Sequence, residues 1–461
     1  MTRPLVFVSL AMNQTRFYAG LDRLLSPQGW QVVHLCYHER SVDWLARQGL
    51  RAVNAYRHPA ARQPIDPRSV VDRPLEDLLL HEETAFELPA RRRPQLARNF
   101  GRYLAVADAV LAEIEGSFGT KATLVQELGG LGCMLAAYYA ARARGTDAYF
   151  VEPSFFRGRV FFTRNTLGAP RVAGEPSSEP GAELRSYLAD AVASGSPVVP
   201  LKDNRHYRTP ARKLSDPYNA RRLIEKLVDK HILRKREAFS HIGLHVRRHL
   251  RMAVNERRLA KVAVPPPEAG YVYYPLHVPT DVALTLRAPA LLDQYALIDR
   301  LASMLPQGRL LAIKEHPARV GALDHRRIAG LLRRHANLRF LQPRTNNFAV
   351  MRRAGAVVAV NSKAGAEALL LRRPVVALGD GFYRDSPLAR TVRSLEELPG
   401  VLTELLAPTW APPGAAAVDR YFQSVWERSR PGEIYAADPA GVALFAQSLL
   451  AVLNERDREP R

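Results

Sequence analysis

The sequence is poor in cysteine: across 461 residues only Cys36 and Cys133 occur, each inside an apolar run. Two thiols supply neither a disulfide framework nor a zinc-ligand set, and such sparing use suits a reducing compartment. Long hydrophobic runs are missing as well. No window approaches the roughly 18 to 20 uninterrupted apolar residues that a membrane-spanning helix needs. The opening MTRPLVFVSLAMNQ has a short apolar stretch but no cleavage-site pattern, so it reads as a first strand rather than a signal peptide. No helix-turn-helix, zinc-finger or RNP signature is present, and nucleic acid is not an expected partner. No short internal repeat is present.

What is abundant is positive charge. Lys and Arg number 66 against 45 Asp and Glu, a formal charge of +21, with the excess mostly arginine. Anionic lipid and an anionic substrate both fit that balance, as do the ordinary solvated faces of an arginine-rich protein. At 461 residues and 47% hydrophobic composition the chain is globular and long enough for two domains.

The hydrophobic pattern alternates between strand and helix twice. In the first block Leu5–Leu10, Trp30–Cys36, Ala122–Leu128 and Ala148–Glu152 read as strands. Phe17–Leu25, Leu96–Ile114 and Met134–Arg144 read as helices, with a polar, Pro-rich stretch at about 57 to 75. Residues 171–205 are rich in Gly, Pro and Ser and predict a long loop. Residues 217–262 predict very basic helices, a segment suited to an anionic surface or simply to water.

The second block runs Tyr271–Pro275 (strand), Leu291–Met304 (helix), Arg309–Ile313 (strand), His325–His335 (helix) and Leu338–Leu341 (strand). It continues with Ala356–Val360 (strand), Ala364–Leu371 (helix) and Val375–Leu378 (strand), and helices near Ala416–Trp426 and Gly441–Leu453 close the chain. The expected fold is α/β with the GT-B architecture, two Rossmann-like domains facing a cleft. Its expected divisions are an acceptor-side domain over 1–170, a basic, partly helical linker or insertion over 171–268, a donor-binding domain over 269–435, and a C-terminal helix and tail over 436–461.

Four segments carry candidate chemistry. In AGAVVAVNSKAGAEALLLRRPVVALG a strand ends at Val360, and Asn361 and Ser362 then open a helix. Either residue type caps a helix, and the free N–H groups of its first turn suit an anion. Gly365 would let a ligand approach the backbone, and Glu367 would accept hydrogen bonds from ribose hydroxyls. In LLAIKEHPARV another strand delivers Lys314, Glu315 and His316, halted by Pro317. A lysine and a histidine at a strand end suit phosphate recognition, and a histidine can also hand a proton to a departing phosphate. In YVYYPLHVPTDVAL a strand runs into His277 and then Asp281, a possible base or nucleophile at an anomeric carbon, and equally an ordinary helix-start residue. In AYFVEPSFFRGRVFFTRNTLG, Glu152 ends a first-domain strand with Arg157 and Arg159 beyond it. Glu152 is either a second candidate acid or a partner for those arginines.

Together these segments resemble the capsule polysaccharide synthesis family, whose members include transferases of 3-deoxy-D-manno-oct-2-ulosonic acid (Kdo) from CMP-Kdo. VNSKAGAEALLLRRPVVALGDGFY (Val360–Tyr383) is similar to that family's Asn-Ser-Thr-x-Gly-x-Glu-Ala-Leu signature, and Lys314-Glu315-His316-Pro317 to its His-Pro motif. Tyr274-Pro275-Leu276-His277 with Asp281 resembles its Tyr-Pro-Leu-Gln strand and following acid. Glu152 to Gly168 resembles its first-domain element. Lys363 stands where the family has Thr, His277 where it has Gln, and Pro153-Ser154 lacks a frequent Gly.

The resemblance implies a metal-independent glycosyltransferase without a cofactor, whose donor is CMP-Kdo or a similar nucleotide sugar. Lys314, His316, Asn361, Ser362, Lys363, Gly365 and Glu367 would bind that donor, with His316 and Ser362 on the phosphate. Asp281, Glu152 and His316 would be catalytic, with a carboxylate as nucleophile in a retaining double displacement. Arg157, His277 and Tyr383 would meet the sugar or acceptor. The expected acceptor is a glycan or glycolipid, and the expected location is the cytoplasm, at most peripheral on the inner membrane face. Two other functions share these motifs: a teichoic-acid-type polyol-phosphate transferase, and a non-catalytic capsule assembly or export partner.

Overall fold

The computed structural model of the chain describes residues 3–172, 174–195, 217–239 and 241–456. Contacts divide it into two compact units. Unit 1 comprises Met1–Leu167, Asp216–His245 and Ser429–Arg461; unit 2 comprises Gly168–Ser215 and Val246–Arg428. The residues 171–268, expected as one linker, are thus shared between the units, and the chain returns to unit 1 at its end.

Unit 1 is built on β1 (Arg3–Ser9), β2 (Trp30–Cys36), β3 (Ala52–Asn54), β4 (Thr123–Glu127), β5 (Asp147–Pro153), β6 (Arg159–Arg164) and β13 (Arg430–Pro431). The order across the sheet is β13-β6-β5-β4-β1-β2-β3. The five strands from β5 to β3 are parallel, whereas β6 turns back against β5 and β13 pairs antiparallel with β6. Apolar runs such as Leu5–Val8 are buried because helices cover both faces of a parallel sheet. Both cysteines are buried and free.

Unit 2 uses β7 (Val272–Pro275), β8 (Leu311–Lys314), β9 (Leu338–Phe340), β10 (Ala356–Ala359), β11 (Val375–Ala377) and β12 (Arg390–Thr391). All are parallel, in the order β12-β11-β10-β7-β8-β9. This is the doubly wound order, which reverses direction between β7 and β10. Its helices begin where short polar side chains replace the missing first-turn partners. Asp293 accepts from the N–H groups of Tyr295 and Ala296, Asp324 from Arg326 and Arg327, and Asn346 from Ala349. Leu297, Ile298 and Leu301 of the helix Gln294–Met304 pack with Ile328 and Leu331 onto Val272, Leu311, Ile313 and Phe340.

Two expectations are corrected. The predicted loop 171–205 lies outside the described residues at 173 and from 196 on, but Ala182–Ser194 within it is a helix. Leu184 and Leu188, one turn apart, are its buried side, and Gly195 ends it at φ 59°. The Pro and Gly residues that flank this helix masked its period. The C-terminal helix, expected with the tail as a division of its own, belongs instead to unit 1. In the helix Pro439–Arg456, Phe445, Ala446, Leu449 and Leu453 complete the core around Phe7, Phe17, Tyr18 and Phe162. Phe445 meets the Phe17 ring edge-on at 4.9 Å. No helix among the described residues is long and apolar enough to cross a membrane.

Phe445→Ala should therefore destabilise unit 1 by about 3–5 kcal/mol, the usual loss for a buried aromatic. Denaturant unfolding followed by tyrosine and tryptophan fluorescence measures it, and a loss below about 1 kcal/mol would contradict this packing.

Candidate functional site

In a doubly wound sheet the strand pair at which the order reverses opens a crevice at its carboxyl edge. In unit 2 that pair is β7 and β10, and the residues immediately after them meet. The Asn361 backbone N–H donates to His277 Nε2 at 3.3 Å. The His277 backbone is itself clamped by Gln294, whose Oε1 accepts from the His277 N–H at 2.8 Å and whose Nε2 donates to its carbonyl at 3.2 Å. Because Nε2 accepts, the imidazole carries its proton on Nδ1. Burial holds its pKa below the usual value, against the pull of Asp281. His277, expected to touch sugar or acceptor, has this ring nitrogen committed to joining the two strand ends.

Asn361 also donates through Nδ2 to the Ala283 carbonyl. Its Oδ1 lies where a Cβ on residue 379 would come within 2.3 Å, so Gly379 makes room for it. Ser362 caps the helix Lys363–Leu370, accepting from the Ala364 N–H at 3.2 Å, as its position after the strand predicts. The Tyr383 hydroxyl donates to the Ser362 carbonyl at 2.8 Å.

Two expectations fail at this turn. Gly365 leaves no opening for a ligand, because a Cβ there would lie 2.3 Å from the Tyr383 ring, which fills the space. Tyr383, expected at the sugar or acceptor, is fully buried and braces the capping turn instead. The Gly365–Tyr383 pair is a packing device that shapes the turn from behind.

From β8, next to β7, come Lys314, Glu315 and His316, and the pleat separates their roles. Lys314 is only 3% exposed, its Nζ 3.5 Å from the Pro343 carbonyl. Burial lowers its pKa to about 8, while Glu367 works the other way. Glu315 Oε2 accepts from the Gly321 N–H at 2.9 Å and Oε1 from the Leu323 N–H at 3.0 Å, so it organises the loop behind the His-Pro turn. Burial raises its pKa to about 7. Gly321 stands at φ 79°, and a Cβ there would sit 2.1 Å from the Met252 carbonyl oxygen, so this corner requires glycine.

His316 Nδ1 accepts from the Ala318 N–H at 3.2 Å, closing the turn that Pro317 starts. The ring proton is therefore on Nε2. Burial lowers the pKa to about 4, Asp281 opposes this, and His277, Lys314 and Arg319 lower it further. His316 is accordingly a neutral imidazole with an N–H to donate at pH 7.

Asp281 is exposed and caps the short helix Val282–Thr285, its Oδ1 accepting from the Ala283 N–H at 2.9 Å. Its field reaches both His277 and His316. The capping role read from the sequence and a place beside the histidines therefore coexist in one residue. Glu367 is buried and accepts from Asn347 Nδ2 at 2.9 Å, while Asn347 Oδ1 accepts from the Tyr273 hydroxyl at 2.7 Å. Its pKa is raised by burial and held down by Asn347, Lys363 and Lys314.

Glu152 and Arg157 belong to unit 1. Glu152 is half-buried near the end of β5, opposite Phe161 of β6, and Arg157 is exposed in the turn between those strands. Arg159 is held by the Ser429 hydroxyl at 2.8 Å and the Ser429 carbonyl at 2.6 Å. Three contributors were not foreseen: Gln294, Asn347 and Arg319. Arg319 completes the His-Pro-Ala-Arg turn, and burial together with Arg248 lowers its pKa. An arginine two residues beyond the His-Pro was its only signal.

Parallel strands with a capped helix after the switch point define a doubly wound α/β unit. Residues 184–393 match the family model described as capsule polysaccharide biosynthesis protein. Protein FixF of Sinorhizobium fredii (strain NBRC 101917 / NGR234) is 31% identical over 131 residues, which are 28% of this chain and 30% of FixF. Solved structures matched by the chain include the Thermosulfurimonas dismutans KpsC, beta Kdo 2,7 transferase, at 12% identity and TM-score 0.39. That comparison covers 97% of this chain and 100% of the other. A glycosyltransferase from Rickettsia africae ESF-5 gives 10% identity and TM-score 0.32 over 100% of both chains. At such TM-scores the fold description rests on the strand orders given above.

The Glu315 carboxyl offers a direct check of the loop. With its folded pKa near 7 against an ordinary 4.5, the folded state holds the proton more tightly than the unfolded chain. The associated stability is present in acid and is lost as pH rises through that interval. Thermal unfolding of wild type and Glu315→Gln between about pH 4.5 and 8 should show wild type losing stability relative to the variant as pH rises. Parallel pH dependences would contradict the assigned burial.

Proposed function

We propose that the chain is a glycosyltransferase of capsule or cell-surface glycan synthesis that moves an acidic sugar, Kdo, from CMP-Kdo to a glycan or glycolipid acceptor. The observation that carries this reading is the junction of His277 with Asn361 at the switch point of unit 2. Beside it lie the neutral His316 and the Ser362-capped helix. The family match covers those same residues.

In this reading the cytidine phosphate takes the first-turn N–H groups after Ser362 and the Nε2–H of His316, with Lys314 and Lys363 supplying positive charge. A carboxylate, Asp281 or Glu152, attacks the anomeric carbon as the bond to the phosphate oxygen breaks and CMP departs. An acceptor hydroxyl then displaces the carboxylate, its proton passing to solvent water, and the two successive inversions retain the configuration. His316 serves as a hydrogen-bond donor to the departing phosphate, which leaves as an anion and takes no proton from the ring. The reading needs no cofactor or metal.

Release of CMP from CMP-Kdo by the purified protein, with a panel of glycan and glycolipid acceptors, tests the proposal. His316→Ala and Ser362→Ala should each lower kcat by about 10²-fold, the usual effect of removing one donor to developing negative charge. Turnover of a different nucleotide sugar, and never of CMP-Kdo, would defeat the donor assignment. Full activity in both Asp281→Ala and Glu152→Ala would point instead to polyol-phosphate transfer. CMP binding without any turnover would mark a non-catalytic assembly partner.

A further inference from the structure

Large apolar side chains that remain exposed are not scattered over the molecule. Of ten such residues among those described, eight fall between Ile224 and Val262. The clearest group is on the helix Ile242–Leu259, whose residues from Val246 onward belong to unit 2. Its inner face is firmly seated. Met252 and Leu259 are buried, and Asn255 donates to the Gly321 carbonyl at 3.2 Å and pairs with His325 Nδ1 at 2.9 Å. Gly321 lets the two backbones come together there.

The outer face is different in kind. Val246, Leu250 and Val254 are 41%, 56% and 52% exposed, and their spacing of four residues puts them in one stripe along the helix. Arg257 continues the stripe one turn on, and Arg247, Arg251 and Arg258 border it, all exposed. Glu256 is the helix's single acid, and it lies toward the inner face, paired with Arg344 at 3.2 Å. Unit 1 repeats the composition on its own surface, where Ile224, Leu227, Ile232 and Leu233 are exposed beside Arg221, Lys230 and Arg234.

A water-exposed line of aliphatic residues with arginines along one side is unfavourable in solvent and suits one environment, the boundary between lipid headgroups and acyl chains. We propose that the outer face of the helix Ile242–Leu259 lies on the surface of an anionic lipid bilayer. Val246, Leu250 and Val254 enter the acyl boundary, and the bordering arginines meet lipid phosphates. The occupant is a bilayer rather than an acidic protein or glycan because aliphatic and cationic groups run side by side along the helix. A polyanion would satisfy only the second set. No helix among the described residues is long and apolar enough to cross the bilayer.

Flotation of the full chain with vesicles reads this directly and needs no transferase activity, so its outcome is independent of the donor assignment. Vesicles containing roughly one-third phosphatidylglycerol should bind the protein, and pure phosphatidylcholine vesicles should not. The double variant Leu250→Glu, Val254→Glu should weaken binding at least about tenfold. Arg251→Ala, Arg257→Ala, Arg258→Ala should weaken it while leaving the stripe in place, and added salt should do the same to wild type. Circular dichroism and thermal unfolding confirm that each variant is folded. Absence of binding to the anionic vesicles, or binding unaltered by the Leu250 and Val254 changes, would overturn the proposal. So would a dimer that the double variant dissolves, or a soluble acidic polysaccharide whose binding depends equally on Leu250 and Val254.

Discussion

At the switch point of the second unit the two strand ends are joined by one contact, the donation from the Asn361 backbone to His277. Parallel strands β7 and β10 are neighbours in the sheet but lie more than 80 residues apart in sequence, and each hands its chain to a different side of the fold. Where they part, backbone polar groups lose their ladder partners and must find others. His277 supplies one at the strand end, using a ring nitrogen that accepts in the neutral imidazole, the form that burial favours. Gln294 then fixes His277 from behind. The turn at Asn361–Ser362 is held to the rest of the carboxyl edge by this chain of bonds together with the Asn361 amide on the Ala283 carbonyl and the Tyr383 hydroxyl on the Ser362 carbonyl.

Charge in the site follows from the same burial. Lys314, His316, Arg319 and Glu367 all sit where water is scarce, and each has its charged form disfavoured for that reason. The result is a surface with donors more than with fixed charges: a neutral His316, a lysine near 8, and the first-turn N–H groups beyond Ser362. Such a site is preorganised for an anion that brings its own negative charge, and an arriving phosphate would reinforce the protonated form of each cation. Asp281 opposes that trend at both histidines, which gives a helix-capping residue an electrostatic reach beyond its cap.

Much of the fold could be read from periodicity. Trp30–Cys36 is a strand with those same limits, and the strands and helices expected between Tyr271 and Leu378 lie within three residues of their expected ends, whereas the short helices Val282–Thr285 and Asn347–Arg353 were not foreseen. The strand-end positions of His316 and Asn361 followed from those runs, as did the cap at Ser362. Other features were hidden for identifiable reasons. The helix Ala182–Ser194 is bracketed by Pro and Gly, and the short edge strands β3, β12 and β13 have too few residues to show alternation. Gly365 looked like an opening because a missing side chain is visible in sequence, whereas the Tyr383 ring that fills the gap lies 18 residues away. Glu315 stood between two candidate ligands and gave no sign that its carboxylate turns to Gly321 and Leu323.

The sequence by itself determined the alternation of strand and helix, the helix starts, and which chemistry stands at the end of which strand. These are local matters, decided by side-chain period and by the first-turn N–H groups that Asn, Ser and Asp can satisfy. Only the tertiary structure decided the rest. It made β7 and β10 neighbours, filled the space over Gly365 with Tyr383, and returned the helix Pro439–Arg456 to the aromatic core of unit 1. It also left Val246, Leu250 and Val254 facing outward while Met252 and Leu259 turned in. Each of these depends on which distant residue occupies a given volume, and no short-range pattern encodes that.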